Sequence, residues 1–376
     1  MLQPIALFCS DTHLQPRVWT QYPDMAGDTY VAFDAVIALA NAHDVPVFCA
    51  GDLFDKVRCD TNSLDRFSAA VGKLRNPFYY IQGNHDITDP PWPQVCSRST
   101  HLHKQVVNLP CRTGRNWRIA GLDYQRSDQL PSAIDALYAD NTDIDVLVMH
   151  QAWDEIQRVG STQGSILSLL GGRRLSLLVT GDYHKRMTFP LADLEQFTTV
   201  HSPGSTCMQA IDEDADKYVT LLCVEYGDAS VPRLVLRDLR LADTRLCYRH
   251  TVRTEAELNS LLRDGIGAFS AACKPLMQVT YMDTIPDVLP RLLAGVGPKV
   301  YLFLKAVANV ETSEVAVLAA EGVAKITIGH AIREMERDPD VLQLAFAVEK
   351  ATDVAAVLAS ERQKFVTEWV SKNAVV

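Results

Sequence analysis

The chain has 376 residues, of which 47% are apolar and 22% charged, and its net charge is −10. This balance excludes a disordered chain and describes a protein with a sizeable core, long enough for two or three domains. The acidic charge excludes holding nucleic acid through a diffuse basic field, so any such contact is local or relies on a bound cation or a partner. No apolar run approaches the length of a membrane span, and Met1-Leu2-Gln3-Pro4 lacks the basic start and apolar stretch of a signal peptide. The nine cysteines are scattered, with no Cys-x-x-Cys pair. The expectation is a cytoplasmic, reducing compartment, no membrane association and no thiolate zinc site.

In chain order, Ile5 to Cys9 is a continuous apolar run that reads as a buried strand, and it ends at once in Ser10-Asp11-Thr12-His13. A helix-period segment (Tyr30, Phe33, Val36, Leu39) leads to a second buried strand, Val45 to Ala50, which ends in Gly51-Asp52-Leu53-Phe54-Asp55. A second helical pattern (Leu64, Phe67, Val71, Leu74) leads to Phe78-Tyr79-Tyr80-Ile81 and then Gly83-Asn84-His85-Asp86. Residues 90–118 are proline-rich and then irregular, and read as surface loops. Later strands are expected at 119–122, at 145–149 before His150, and at 175–180 before Gly181-Asp182-Tyr183-His184. Another is expected at 198–200, followed by His201-Ser202-Pro203-Gly204-Ser205, and a last one at 218–224.

Strands alternating with helices imply an α/β fold, in which ligands lie beyond the carboxyl ends of the strands. Asp11, His13, Asp52, Asn84, His85, His150, Asp182 and His184 all stand at such ends. Carboxylate, amide and imidazole donors suit Mn²⁺, Fe²⁺ or Zn²⁺. Two ions about 3.5–4 Å apart with a bridging carboxylate serve in-line phosphoryl transfer, and Asp52 is the candidate bridge. Taken singly each residue has a plainer reading: Asp11 as a helix cap, His150 as a core histidine, Asp55 as a solvated loop acid.

The ordered set Asp11-x-His13, Gly51-Asp52-x-x-Asp55, Gly83-Asn84-His85-Asp86, His150 and Gly181-x-x-His184 resembles the calcineurin-like metallophosphoesterases. Within them it is most similar to the SbcD-type nuclease subunits of double-strand-break repair. Ser10-Asp11-Thr12-His13-Leu14, Gly-Asp-Leu-Phe-Asp at 51–55 and Ser202-Pro203-Gly204-Ser205 carry that finer resemblance. It implies a phosphoesterase sandwich of β-sheets flanked by helices over 1–228. A smaller α+β capping module follows over 229–310, and C-terminal helices over 311–376 would dock an ATPase. One metal would be held by Asp11, His13, Asp52 and His184, and the other by Asp52, Asn84, His150 and the residue at 182. His85 would be the general acid, oriented by Asp86. The family pattern has histidine where this chain has Asp182, a change that favours harder ions such as Mn²⁺ or Mg²⁺.

The function implied is a manganese-dependent DNA exonuclease and endonuclease. Its partners would be double- and single-stranded DNA and an SbcC-like coiled-coil ATPase, with a homodimer as the default assembly. Lys185 and Arg186, with Arg112, Arg115, Arg118, Arg173 and Arg174, are the candidate phosphate contacts. Two alternatives share the motifs: a phosphodiesterase or phosphatase for small nucleotides or phosphoproteins, and a non-catalytic scaffold of the same fold.

Overall fold

The computed structural model describes residues 2–307 apart from positions 23, 113, 142 and 283 and segments 158–161, 192–197, 227–231 and 265–273. The helical docking region expected over 311–376 lies outside the described residues. The elements are β1 (Leu2–Cys9), α1 (Asp28–His43), β2 (Val47–Ala50), α2 (Thr61–Val71), β3 (Phe78–Ile81), β4 (Ser99–His101), β5 (Val106–Pro110) and β6 (Asn116–Leu122). They continue with α3 (Leu130–Asp140), β7 (Val146–His150), α4 (Ile166–Leu170), β8 (Leu177–Gly181), β9 (Met187–Leu191), β10 (Thr198–Ser202) and β11 (Tyr218–Glu225). The last are β12 (Arg233–Arg240), β13 (Cys247–Val252), α5 (Glu255–Asp264), β14 (Leu276–Met282), α6 (Val288–Gly295) and β15 (Tyr301–Val307).

Two six-stranded sheets, in the orders β12-β11-β1-β2-β3-β4 and β5-β6-β7-β8-β10-β9, stack face to face. The strands are apolar without interruption because both faces are buried. Leu7, Cys9, Val47 and Cys49 point to α1 and α2. The alternate residues Phe8, Phe48 and Ala50 meet Val146, Val148 and Val179 of the second sheet. Leu147 and Met149 point outward again, under α3 and α4. The expected two-sheet sandwich flanked by helices is therefore present. Its inner strands are parallel (Phe8 opposite Phe48, His150 opposite Gly181), so their carboxyl ends gather on one edge.

Two regions differ from the sequence expectation. Residues 90–118 are not all loop: β4, β5 and the start of β6 lie there. β4 and β5 are sheet edges, as is Pro190-containing β9, and short polar or proline-bearing edge strands lack the periodicity that marks buried ones. The second is β12, which was expected in the smaller module. It pairs antiparallel with β11 from Tyr218 opposite Arg240 to Glu225 opposite Arg233, and Leu234 and Leu236 pack on the inter-sheet core. The first sheet thus runs past residue 228.

After it, β13, β14 and β15 form a separate three-stranded parallel sheet under α5 and α6, around Val252, Leu258, Met277, Val279 and Leu292. Thr254 and Glu257 make a capping box at the start of α5: Glu257 N donates to Thr254 Oγ1 (3.2 Å) and Thr254 N to Glu257 Oε2 (3.3 Å). This small sheet sits on the sandwich through Met25, Met208, Leu276 and Tyr301, with Trp19, Tyr22 and Phe303 around them. Arg245 pairs with Asp28 at 2.6 Å across the same seam. Met1–Val307 form one compact unit. Among the described residues no helix is long and apolar enough to cross a membrane.

One buried histidine sets an acid limit on stability. His201 lies between Thr188 Oγ1 (2.8 Å) and Thr220 Oγ1 (2.7 Å), fully buried, and burial pushes its pKa down to about 4. The unfolded chain therefore binds this proton first, and the stability held above about pH 6.5 is lost as pH falls towards 4. Denaturation at pH 7 and pH 4 should show roughly 3 kcal/mol more loss in wild type than in His201→Gln. Equal pH slopes for the two proteins would refute this.

Candidate metal centre

The centre forms where the strand-end loops bond to one another. Asp11 N donates to Gly51 O (3.2 Å), His13 N to Asp52 O (2.9 Å) and Leu14 N to Leu53 O (2.8 Å), so the loops after β1 and β2 run side by side. Asp11, His13, Asp52 and Asp182 all have positive φ, a conformation that non-glycine residues adopt only where the surroundings impose it. Two glycines admit the close approach. A Cβ at Gly83 would lie 2.0 Å from Asp52 Oδ1, and one at Gly181 would lie 2.2 Å from Ala50 O and 2.4 Å from His150 Nδ1.

Asp52 is central. Its Oδ2 is 3.5 Å from His13 Nε2 and 3.4 Å from His150 Nε2, and its Oδ1 accepts from His85 N at 2.9 Å. Around His150 Nε2 also lie Asn84 Oδ1 (3.0 Å) and Asp182 Oδ1 (3.9 Å). On the other side His13 Nε2 is 3.2 Å from His184 Nε2, which is 3.7 Å from Asp11 Oδ1. The sequence-predicted ligands thus fall into two sets that share Asp52. Triads of potential ligand atoms within 4.8 Å include Asp11, His13 and His184, and Asp11, Asp52 and His150.

The donor chemistry fits divalent ions. His150 Nδ1 lies 2.8 Å from the Ala50 carbonyl and donates to it, which leaves the Nε2 lone pair of a neutral ring facing three oxygen acceptors. His184 Nδ1 likewise donates to Glu213 Oε1 at 2.6 Å, so its Nε2 lone pair faces His13 Nε2 at 3.2 Å. Asp11 Oδ2 and His13 Nδ1 are buried with no hydrogen-bond partner among the described residues. Lone pairs converging on one another are relieved by a cation, and atoms each about 2.0–2.2 Å from one ion stand roughly 3–4 Å from each other, as these do. Without an ion, protons take the compensating role. Burial would lower the His150 pKa, but the Asp52, Asp11 and Asp182 carboxylates raise it to about 10. Burial likewise opposes ionisation of Asp52, yet His150 and His13 hold it well below the usual carboxylate range. A bound ion displaces such protons.

His85 is exposed, and its Nδ1 is 2.9 Å from the Asp55 carbonyl oxygen. Its ring stands edge-on to His13 at 4.9 Å. The orienting role expected for Asp86 is not what the structure shows. Asp86 is buried, and its carboxylate accepts from Leu53 N (2.8 Å), Phe54 N (3.2 Å) and Gly83 N (2.8 Å), three donors the turns would otherwise leave unpaired. Burial and the nearby Asp52 push its pKa up to about 7. Asp86 ties the second and third loops together, while Asp55 orients His85.

Asp182, the departure from the family pattern, keeps Oδ1 beside His150. Its Oδ2 accepts from Gln157 Nε2 (2.9 Å), and its backbone N donates to Asp11 Oδ1 (3.1 Å). Burial raises its pKa. Arg186 is committed elsewhere: it pairs with Asp238 and lies over Tyr218 at 4.5 Å, and Lys185 beside it is partly buried. Arg115 pairs with Asp145 (2.7 Å), Arg173 pairs with Asp135, and Arg118 reaches Asn141 (3.4 Å).

Sequence reading missed Glu213, Asp123 and the role of Asp55. Asp123 follows β6, takes Gln82 N (2.8 Å) and His101 Nε2 (2.9 Å), and so braces the strand before Gly83. An open cleft of about 460 Å³, lined by Gln82, Ile87, Thr88, Gln94, His101 and Asp123, runs beside that loop. The available signal for Asp123 was its place at a strand end after Gly121-Leu122. Glu213 sits in the acidic run Asp212-Glu213-Asp214, which looks like a solvated loop.

The calcineurin-like phosphoesterase family model matches residues 6–186, which contain all eight strand-end residues named above. No curated protein matches the chain by sequence. Among solved structures, Vps29 of Chaetomium thermophilum is similar at 13% identity, covering 64% of this chain and 97% of that one with a TM-score of 0.28. A protein of unknown function from Aquifex aeolicus is similar at 16% identity, covering 38% and 76% respectively with a TM-score of 0.24. It is the family match, joined to the two ligand sets around Asp52, that shows the chain to carry a calcineurin-like phosphoesterase domain, the domain of metal-dependent phosphoester hydrolases.

Proposed function

We propose that the protein is a two-metal DNA phosphodiesterase, with exonuclease and endonuclease action, and the nuclease subunit of an SbcC-like coiled-coil ATPase in DNA end processing. One observation carries the polymer reading. Asp11, His13, Asp52 and His150 are buried, whereas Asn84 and His85 are exposed on the rim with an open cleft running on beside their loop, so an extended strand can cross the centre. The Ser202-Pro203-Gly204-Ser205 turn supports the same branch of the family. Ser202 Oγ donates to Tyr183 O (2.9 Å) and Ser205 N to His184 O (3.0 Å), so the turn is bonded to the last ligand loop. The ATPase would supply much of the DNA affinity that an acidic chain lacks.

When bound, the divalent ions, Mn²⁺ first among them, supply positive charge for the scissile phosphate and lower the pKa of water. Asp11, His13, Asp52 and His184 would hold one, and Asp52, Asn84, His150 and Asp182 the other. The chain's own proton chemistry falls to His85. With Nδ1–H on the Asp55 carbonyl, the imidazolium form of His85 would carry its second proton on Nε2, from where it can pass to the departing ester oxygen.

A second reading, hydrolysis of small phosphodiesters or phosphomonoesters, is favoured by one fact: Arg115, Arg173 and Arg186 are spent on internal ion pairs. Labelled linear duplex and single-stranded DNA with Mn²⁺, run against bis-nitrophenyl phosphate and cyclic nucleotides, separates the two. Cleavage of small esters with no DNA cleavage, even beside a coiled-coil ATPase, sinks the nuclease reading. No turnover of any ester would leave a scaffold.

Asp182 has its own test. Asp182→Ala should weaken the second ion by roughly tenfold or more and lower the metal content measured by mass spectrometry towards one ion. Unchanged metal content would show that Asp182 is not a ligand.

A further inference from the structure

The imidazole of His184 is held from behind by a carboxylate that is itself enclosed. Glu213 is 3% exposed, and its Oε1 takes His184 Nδ1 at 2.6 Å. Oε1 also accepts from Ala210 N (3.2 Å), while Oε2 accepts from Lys217 Nζ (2.7 Å), Ser205 Oγ (2.7 Å) and Gln209 N (3.1 Å). Lys217, also 3% exposed, balances the charge and bonds Ser205 Oγ at 2.8 Å. This is a buried network in which both Glu213 oxygens are engaged, and such a network fixes one geometry.

The same segment is the floor on which the small sheet rests. Met208 and Ile211 pack with Leu276, Tyr301, Cys247 and Phe303. Arg249 of β13 donates to the Ile211 carbonyl at 2.9 Å and to the carbonyl of Glu213 itself. The backbone of Glu213 is thus clamped by the small sheet and its side chain by the sandwich.

We propose that Glu213 is the positioning residue of the metal ligand His184, and that the Arg249 clamp couples seating of the small sheet to occupancy of the metal site containing His184. The proposal rests on the two-metal reading above. Glu213 holds His184 in the Nδ1–H tautomer with Nε2 aimed at Asp11 and His13, and a bound partner of a ligating histidine typically sets affinity by 10–100-fold. Because such coupling is reciprocal, an ion at this site tightens the small sheet by the same factor that the seated sheet tightens the ion.

The test is Mn²⁺ titration of the full chain followed by electron paramagnetic resonance, with amide exchange over 247–252 read in parallel. Glu213→Gln should weaken one of the two ions roughly 10–100-fold and leave the other nearly unchanged, with a lowered melting temperature because it strands the buried Lys217 ammonium. Glu213→Gln/Lys217→Met, which removes the stranded ammonium, should lose the same ion even if the single variant folds poorly. Arg249→Ala, at an exposed position, should weaken that ion about fivefold or more. It should also abolish the slowing of exchange over 247–252 that Mn²⁺ causes in wild type. Wild-type Mn²⁺ affinity in the double variant would overturn the positioning role, and wild-type affinity in Arg249→Ala would overturn the coupling. Wild-type protein that bound no Mn²⁺ would instead remove the metal-centre reading, and this inference with it.

Discussion

Asp52→Asn is expected to lose both ions and to lower phosphoester turnover by about 10³-fold or more, equivalent to roughly 4 kcal/mol of transition-state stabilisation. The reason is position. One Asp52 oxygen stands 3.5 Å from His13 and 3.4 Å from His150, so a single carboxylate oxygen reaches a histidine of each ligand set. An amide there supplies a neutral oxygen and an N–H that points donor hydrogens where positive charge has to sit. Metal analysis with circular dichroism checks the outcome: a folded variant that keeps two ions and full turnover would remove Asp52 from the bridge. The partial result is informative too, since one retained ion would show which ligand set holds its ion without the shared oxygen.

The second large effect is separable from the first. His85→Gln should reduce turnover by roughly 10²–10⁴-fold while both ions still bind. His85 is exposed, its Nδ1 is engaged by the Asp55 carbonyl, and its backbone N, not its ring, contacts Asp52. Glutamine keeps the backbone bond and removes the transferable proton. Loss of metal in this variant would place His85 among the ligands, a role open to it geometrically because His13, Asp55 and His85 also form a tight triad. Mn²⁺ binding measured beside turnover on bis-nitrophenyl phosphate distinguishes the two. A leaving group that needs no protonation, such as nitrophenolate, should show a smaller deficit than DNA.

The candidate site was legible from the chain to an unusual degree because its parts follow buried strands. Uninterrupted apolar runs such as 5–9 and 145–149 announce strands covered on both faces, and parallel strands deliver their ends to one edge whatever the loops contain. Asp11, His13, Asp52, Asn84, His150 and His184 could therefore be named before any coordinates. The two-sheet sandwich followed from the same alternation of strands and helices, whereas the edge strands at 99–101, 106–110 and 187–191 did not, since half-exposed edges need no periodic apolar pattern.

What the linear order could not supply is which polar group serves which neighbour. Asp86 stands next to His85 in the chain, yet its carboxylate turns inward to three backbone N–H groups, because a buried turn must pair its donors before it can spare a carboxylate for catalysis. Asp55, 30 residues away, holds the His85 ring instead. Arg186 and its fellow cations looked free on paper and are paired in space. Glu213, in a run of loop acids, becomes the buried support of His184 only because the 205–217 segment folds back under the small sheet and brings Lys217 with it. By itself the sequence determined that a set of candidate metal-ligating groups exists and on which edge of the fold it lies, since strand burial and strand polarity are local properties. The tertiary structure decided the second layer, because a carboxylate's role depends on the donors and charges that packing brings within 3 Å or so, and those come from distant parts of the chain.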